Sequence, residues 1–325
     1  MRAAWYSHNG EAKDVIVVGE MPMPEPGPGE VRVRLHTSGV NPSDVKSRRA
    51  RPLSDPRIVP HSDGAGVIDA VGAGVDEGRL GARVWIWNGQ WARPLGTASE
   101  WMVLPSDQAV VLPSNTDFAA GACLGIPALT AIQAVHLAGD LKDKTVLVTG
   151  ASSAVGHYIT QLVTLAGGLV IGTVGSPAKA EHAKAAGMED AIFYKTEPVA
   201  ERVKALTGGK GVSVIIDMDF ASTAQLVTAG ALAPHGTVVC YGSNAPEVAV
   251  NFRALLFGSI TLKFFLVYDL TPAERAFGLQ RLTALLQAGQ LQHSIGPRFS
   301  LAQLVQAHEA VEAGQALGNV VVDLL

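Results

Sequence analysis

Backbone N–H groups gathered at the start of a helix bind anions, and the stretch Thr145-Val-Leu-Val-Thr-Gly-Ala-Ser-Ser-Ala-Val-Gly156 is composed to supply them. An apolar run breaks at small residues, a helical run follows, and a second apolar run covers Leu169–Val174, the order that seats a pyrophosphate. Only the third glycine of G-x-G-x-x-G is present. Ala151 fills the first place and needs an ordinary negative φ; Ser153 fills the second, adding a Cβ near the phosphates and a hydroxyl that can donate to one. A plain βαβ crossover without a ligand also fits this loop. Nineteen residues after Gly156, where an NAD site offers an acid to the ribose 2′-hydroxyl, stands Gly175, followed by Ser176 and Lys179. An uncharged strand end with a cation nearby suits a 2′-phosphate and predicts NADPH, although a lysine on the Ala-rich helix Pro177 to Ala186 also suits a solvated face.

Other chemistries lack their residues. No Tyr is followed four residues later by Lys, no G-x-S-x-G elbow occurs, and His308-Glu309 has Glu312 where a zincin helix needs histidine, so that pair reads as a solvated helix face. Two cysteines, Cys123 and Cys240, can build neither a four-thiolate zinc site nor a catalytic one, and no metal is expected.

The elements around the loop fall into two patterns. Up to about Leu112 the chain reads as short strands, at Arg2–Tyr6, Val15–Glu20, Val31–Val40, Gly66–Gly72, Arg83–Trp87 and Ser99–Leu104, punctuated by Pro and Gly in the manner of an antiparallel β domain. After Asp117 a helical run continues to Ala138, and strands at 145–149, 169–174, 190–193, 212–217, 236–241 and 260–266 alternate with helices, predicting an α/β doubly wound parallel sheet. Thr271-Pro-Ala-Glu opens a helix reaching Ala288, a second helix covers Leu301 to Ala313, and a last strand, Asn319 to Leu325, needs a sheet to join.

Length and charge bound the partners. At 325 residues two domains are expected. A net charge of −4 gives no attraction to nucleic acid or an anionic membrane, and the basic group Lys46, Arg48, Arg49 and Arg51 falls short of a binding stripe. Two scattered thiols and the absence of an apolar leader suit a cytoplasmic protein.

Six segments carry a resemblance: Gly39-Val-Asn-Pro-Ser-Asp44, Pro60-His-Ser-Asp-Gly-Ala-Gly66, Gly81-Ala-Arg-Val84, Gly125-Ile-Pro-Ala-Leu-Thr-Ala131, Thr149–Gly156 and Gly318-Asn-Val-Val321. In this order the chain resembles, nearly end to end, the zeta-crystallin-like NADPH:quinone oxidoreductases, the zinc-free branch of the medium-chain dehydrogenase/reductase superfamily. The resemblance implies a GroES-like β domain (1–118 with 268–325), a six-stranded Rossmann NADP-binding domain (119–267) and a homodimer; the apolar run Ile260–Val267 suits an edge strand paired across a two-fold axis and equally an ordinary buried strand. It places Asn41 where zinc-dependent relatives have a cysteine, and Ser62 where they have the histidine of G-H-E. It implies Ser152, Ser153, Ala154 and Val155 at the pyrophosphate, and Gly175, Ser176, Lys179 and Tyr194 around the 2′-phosphate. Gly242, Ser243 and Asn244 would flank the nicotinamide half, with Phe265, Leu266 and Val267 supporting the carboxamide. Thr130, Asn319 (often lysine in relatives) and Lys46 (often tyrosine) also fall at cofactor positions.

Hydride transfer to a quinone or an enone needs alignment more than side-chain chemistry. Asn41 can hydrogen-bond the acceptor carbonyl or the nicotinamide ribose, while Asp44 orients its neighbours or simply begins a helix. Of Trp85, Trp87, Trp91 and Trp101, the turn residue Trp91 is the candidate to stack on a flat acceptor, the others suiting core positions. His61 is expected either to reach the cleft or to be merely exposed. An NADPH-dependent enone or 2-alkenal reductase and a non-catalytic NADPH-binding protein remain alternatives to the quinone oxidoreductase.

Overall fold

The computed structural model describes residues 1–324 and divides into two compact units, one of Met1–Pro127 with the tail from Thr283, the other Ala128–Leu282. The first unit opens with β1 (Arg2–Trp5), α1 (Ala12–Val15) and β2 (Val17–Glu20), followed by β3 (Glu30–Val40), α2 (Pro42–Ala50), β4 (Asp63–Val71), β5 (Arg83–Ile86), β6 (Trp101–Pro105), β7 (Ala109–Val111) and α3 (Phe118–Gly121). On β3 the side chains of Val31, Val33 and Leu35 point alternately into the core, as period-two patterning demands. The expected strand from Val15 starts two residues later because Val15 closes α1, and β7 was not anticipated.

The expected helical run from Asp117 to Ala138 breaks into α3, a π-helical turn at Leu124–Ala128 and α4 (Leu129–Ala138). Pro127 removes a helical donor. Gly125 sits so near β4 that a Cβ there would lie 2.3 Å from the Asp63 carboxylate, and one on Gly39 would lie 2.0 Å from the Ala122 carbonyl oxygen. That backbone approach holds residues 118–127 in the first unit, so the division falls later than the 118/119 junction that the resemblance implies. It also falls later than 267/268, inside a helix at Pro272–Gln287.

The second unit carries β8 (Thr145–Val148), α5 (Ala154–Leu165), β9 (Leu169–Val174), α6 (Pro177–Ala185), β10 (Asp190–Phe193), α7 (Val199–Leu206), β11 (Val212–Asp217), α8 (Phe220–Thr228), β12 (Leu232–Cys240), α9 (Phe252–Gly258), β13 (Thr261–Phe264) and α10 (Pro272–Gln287). All six strands are parallel, in the order β10-β9-β8-β11-β12-β13. This is the doubly wound order, with its reversal between β8 and β11. The tail supplies β14 (Ile295–Ser300), α11 (Leu304–Ala313) and β15 (Asn319–Asp323) to the first unit. β15 pairs antiparallel with β3, setting Val320 opposite Val40, while β14 runs parallel to β15. The strand expected to reach Leu325 ends at Asp323, and Leu325 lies outside the described residues.

Candidate nucleotide and acceptor sites

The nucleotide loop turns at Gly150, whose φ of +64° only glycine adopts freely, and this leaves Ala151 with an ordinary backbone. Ser153 is the N-cap of α5: its Oγ accepts from the Gly156 N–H at 3.0 Å, and its own O–H stays available to donate. Ser152 is buried, and Ser153, Ala154 and Val155 are half-buried at the helix start. A Cβ on Gly156 would stand 2.2 Å from the Gly150 carbonyl oxygen, so the missing side chain lets the turn close on the helix. Thr149 Oγ donates to Asp217 at 2.7 Å and accepts from the Met218 N–H at 2.9 Å, tying the ends of β8 and β11 together at the topological reversal. This cradle fits a dinucleotide pyrophosphate.

At the end of β9, a Cβ on Gly175 would meet the Tyr194 hydroxyl at 3.2 Å and Lys195 Cε at 3.6 Å. Ser176 caps α6 and accepts from the Lys179 N–H. Gly175, Ser176, Lys179 and Tyr194 are thus gathered at the carboxyl ends of β9 and β10, with no acid at the strand end. Lys195 was missed in sequence. Its signal was available in the parallel register, Phe193 beside Val174, which sets the residues after the two strands side by side.

Gly242, Ser243 and Phe265 line a cavity of about 400 Å³ at the ends of β12 and β13, together with Phe220 and Cys240. Asn244 is turned to Asp219, donating from its backbone N–H at 2.8 Å and from Nδ2 at 2.9 Å. Leu266 is exposed and Val267 is buried, neither lining that cavity. Thr130 is buried in α4 and Lys46 is exposed on α2. Asn319 donates from Nδ2 to the Ser294 carbonyl at 2.9 Å, so its amide is committed to holding β15.

In the first unit, Asn41 caps α2 and its backbone N–H donates to Asp44 at 2.7 Å, the helix-starting role anticipated for Asp44. The Asn41 Nδ2 donates at 2.9 Å to Asp63, which also accepts from the Ile126 N–H at 3.1 Å. Asp63 Oδ1 has no partner and is fully buried. With no cation beside it, burial raises the Asp63 carboxyl well above the carboxylate range, and Asp44 adds to this. Burial pushes Asp44 up to about 7. Asn41 therefore stands on two buried carboxyls that favour their neutral forms, and no three metal-ligating side chains come together among the described residues.

His61 is not exposed. It is completely buried at φ +77°, with Nδ1 2.8 Å from Ser38 Oγ and Nε2 2.9 Å from Nε2 of His308. His308 is likewise buried, which overturns its reading as part of a solvated face; Glu309 is exposed as expected. Burial lowers both rings, His308 to about 3 with Arg48 adding, so the pair is neutral and shares one proton across the Nε2···Nε2 contact. Arg48 is buried too, paired with Glu312 on α11. Trp85 is core, Trp101 donates to Asp69, Trp87 donates to the Asp107 carbonyl, and Trp91 lines a cavity of about 380 Å³.

Residues 27–114 match the model of an alcohol dehydrogenase GroES-like domain, and residues 154–283 that of a zinc-binding dehydrogenase. A quinone oxidoreductase of Pseudomonas aeruginosa is 33% identical over 90% of this chain and 90% of its own length. A 2-haloacrylate reductase of a Burkholderia species is 30% identical over 97% of this chain and 96% of the relative. Among solved structures, a mycobacterial protein complexed with NADPH superposes with a TM-score of 0.87 at 27% identity, covering all of both chains.

Proposed function

The chain belongs to the zinc-free, zeta-crystallin-like branch of the medium-chain dehydrogenase/reductase superfamily, and we propose that it is an NADPH-dependent quinone oxidoreductase. The observation that carries this reading is the β8–α5 turn, built for a pyrophosphate, beside a β9 end where Gly175 replaces an acid and Lys179 and Lys195 bring cations. NADPH supplies the hydride when bound. Ser153 donates to the pyrophosphate while capping α5, and Lys179 with Tyr194 holds the 2′-phosphate. Asn41, held in place by Asp63 and Asp44, stands at the acceptor carbonyl, where negative charge develops. Trp91 stacks on the acceptor. Reduction of an activated C=C bond is the second reading, favoured by the likeness to a 2-haloacrylate reductase.

Cofactor choice is tested by kinetics. NADPH is expected to show a much lower KM than NADH. Lys179→Ala raises the NADPH KM about tenfold, the worth of one charge-assisted hydrogen bond, and leaves NADH unchanged. Equal KM values for the two cofactors in the wild type would remove the 2′-phosphate argument.

The protein is a homodimer on this reading. β13 is a sheet edge, and Leu256, Phe257, Phe264 and Leu266 around it are half or more exposed. Light scattering on the eluting peak then gives twice the 33.9 kDa chain mass, and Phe257→Glu, at a residue 76% exposed, gives the chain mass with an unchanged fold. A wild-type monomer would contradict the pairing. The two buried free thiols fit a reducing cytoplasm, and no helix among the described residues is long and apolar enough to cross a membrane.

A further inference from the structure

The cavity beside Trp91 carries charge that quinone reduction does not explain. Its walls are formed by Tyr6, Leu53, Ile58 and Trp91, with two arginines, Arg51 and Arg93, and no carboxylate. The Arg51 guanidinium lies 5.0 Å from the centre of the Trp91 ring and is within ion-pair distance of no acid among the described residues. Arg93 donates from Nη2 to the Gln108 amide oxygen, while its Nη1 is buried without a partner. Burial penalises the Arg93 charge. Glu30 and Asp107 attract it from outside the cavity wall. A half-buried guanidinium with an idle N–H is expensive unless an anion completes it. Tyr6, whose burial pushes it up to about 12, stays neutral and can donate as well. An aromatic face flanked by two cations, in a volume suited to a small ligand, fits a flat body with a negative end.

We propose that this cavity recognises the carboxylate of a conjugated acid, so that the enzyme's acceptors include 2-enoates, with Arg51 and Arg93 as specificity-determining residues. This rests on the reductase reading for the chemistry alone. In that chemistry a hydride from NADPH forms the new C–H bond at the β-carbon. The π pair of the C=C bond moves to the α-carbon, which takes a proton from water, and NADPH leaves as NADP⁺.

Calorimetry without cofactor, using cinnamate and its neutral isostere cinnamamide, separates the pocket from the chemistry. Cinnamate is expected to bind at least about tenfold more tightly, and inorganic phosphate is expected not to displace it. Arg93→Gln and, at the exposed position 51, Arg51→Gln bring the two ligands within about threefold of each other, with Tm unchanged, while Arg93→Lys retains much of the preference. With NADPH, 2-chloroacrylate is then reduced with a higher kcat/KM than 2-chloroacrylamide, and both variants bring the two values within about threefold of each other. Equal binding of acid and amide, displacement by phosphate, or variants that keep the preference would overturn the assignment. A cinnamate preference in a protein that reduces no quinone would uphold the pocket and count against the reductase reading.

Discussion

Replacing Gly156 by alanine is expected to weaken NADPH binding by about a hundredfold or more and to lower the melting temperature. The added Cβ would lie 2.2 Å from the Gly150 carbonyl oxygen and 2.9 Å from Ala151 Cα, both backbone atoms that no rotamer can move aside. Relief requires α5 to shift away from β8, which costs about 3 kcal/mol on the scale of core overpacking and takes the helix N-terminus away from its anion. Ser153→Ala, by contrast, removes only a cap, worth about 1 kcal/mol. Titration of NADPH by fluorescence compares them. Near-native affinity in Gly156→Ala would show that the cofactor does not use this turn.

The second large effect is a dependence of stability on pH set by Asp44. Its folded-state value of about 7 lies above the ordinary 3.8, so the folded protein holds a proton there that the unfolded chain releases. The stabilisation is fully present below about pH 4 and is lost as pH rises through 7, at about 1.4 kcal/mol per pH unit across that range. Asp63 acts in the same direction. His61 and His308, lowered by burial, act oppositely and only below their ordinary value of 6.5. Asp44→Asn removes the Asp44 contribution while keeping an oxygen for the Asn41 N–H. Urea unfolding should therefore show Asp44→Asn gaining on the wild type from pH 5 to pH 8 by a few kcal/mol. A difference that does not change with pH would mean that the carboxyl is charged in the folded protein throughout.

The parallel sheet was legible because Val146–Val148, Val170–Val174 and Ile192 lie in short apolar runs bounded by glycine and polar residues, a pattern dictated by local chemistry. The gathering of Gly175, Ser176 and Lys179 was legible for the same reason. The break at Gly125 and Pro127 was not, since what forbids a helix there is the approach of Asp63, far away in sequence. His61 and His308 were misread because a buried polar residue is explained only by its partner, here 247 residues distant. The places of Lys195 beside Gly175 and of Arg93 in the cavity wall escaped in the same way, because both are set by neighbours on another strand or turn. Asn41 was picked out, but the carboxyl that fixes it, Asp63, became visible as its partner only in the fold.

The most direct measurement is the rate of NADPH oxidation at 340 nm with 1,4-benzoquinone, on protein dialysed against a metal chelator. Sustained turnover is expected, with a kcat/KM for NADPH well above that for NADH and no gain on adding zinc. Absence of oxidation with the quinone, or activity that appears only when zinc is restored, would contradict the account.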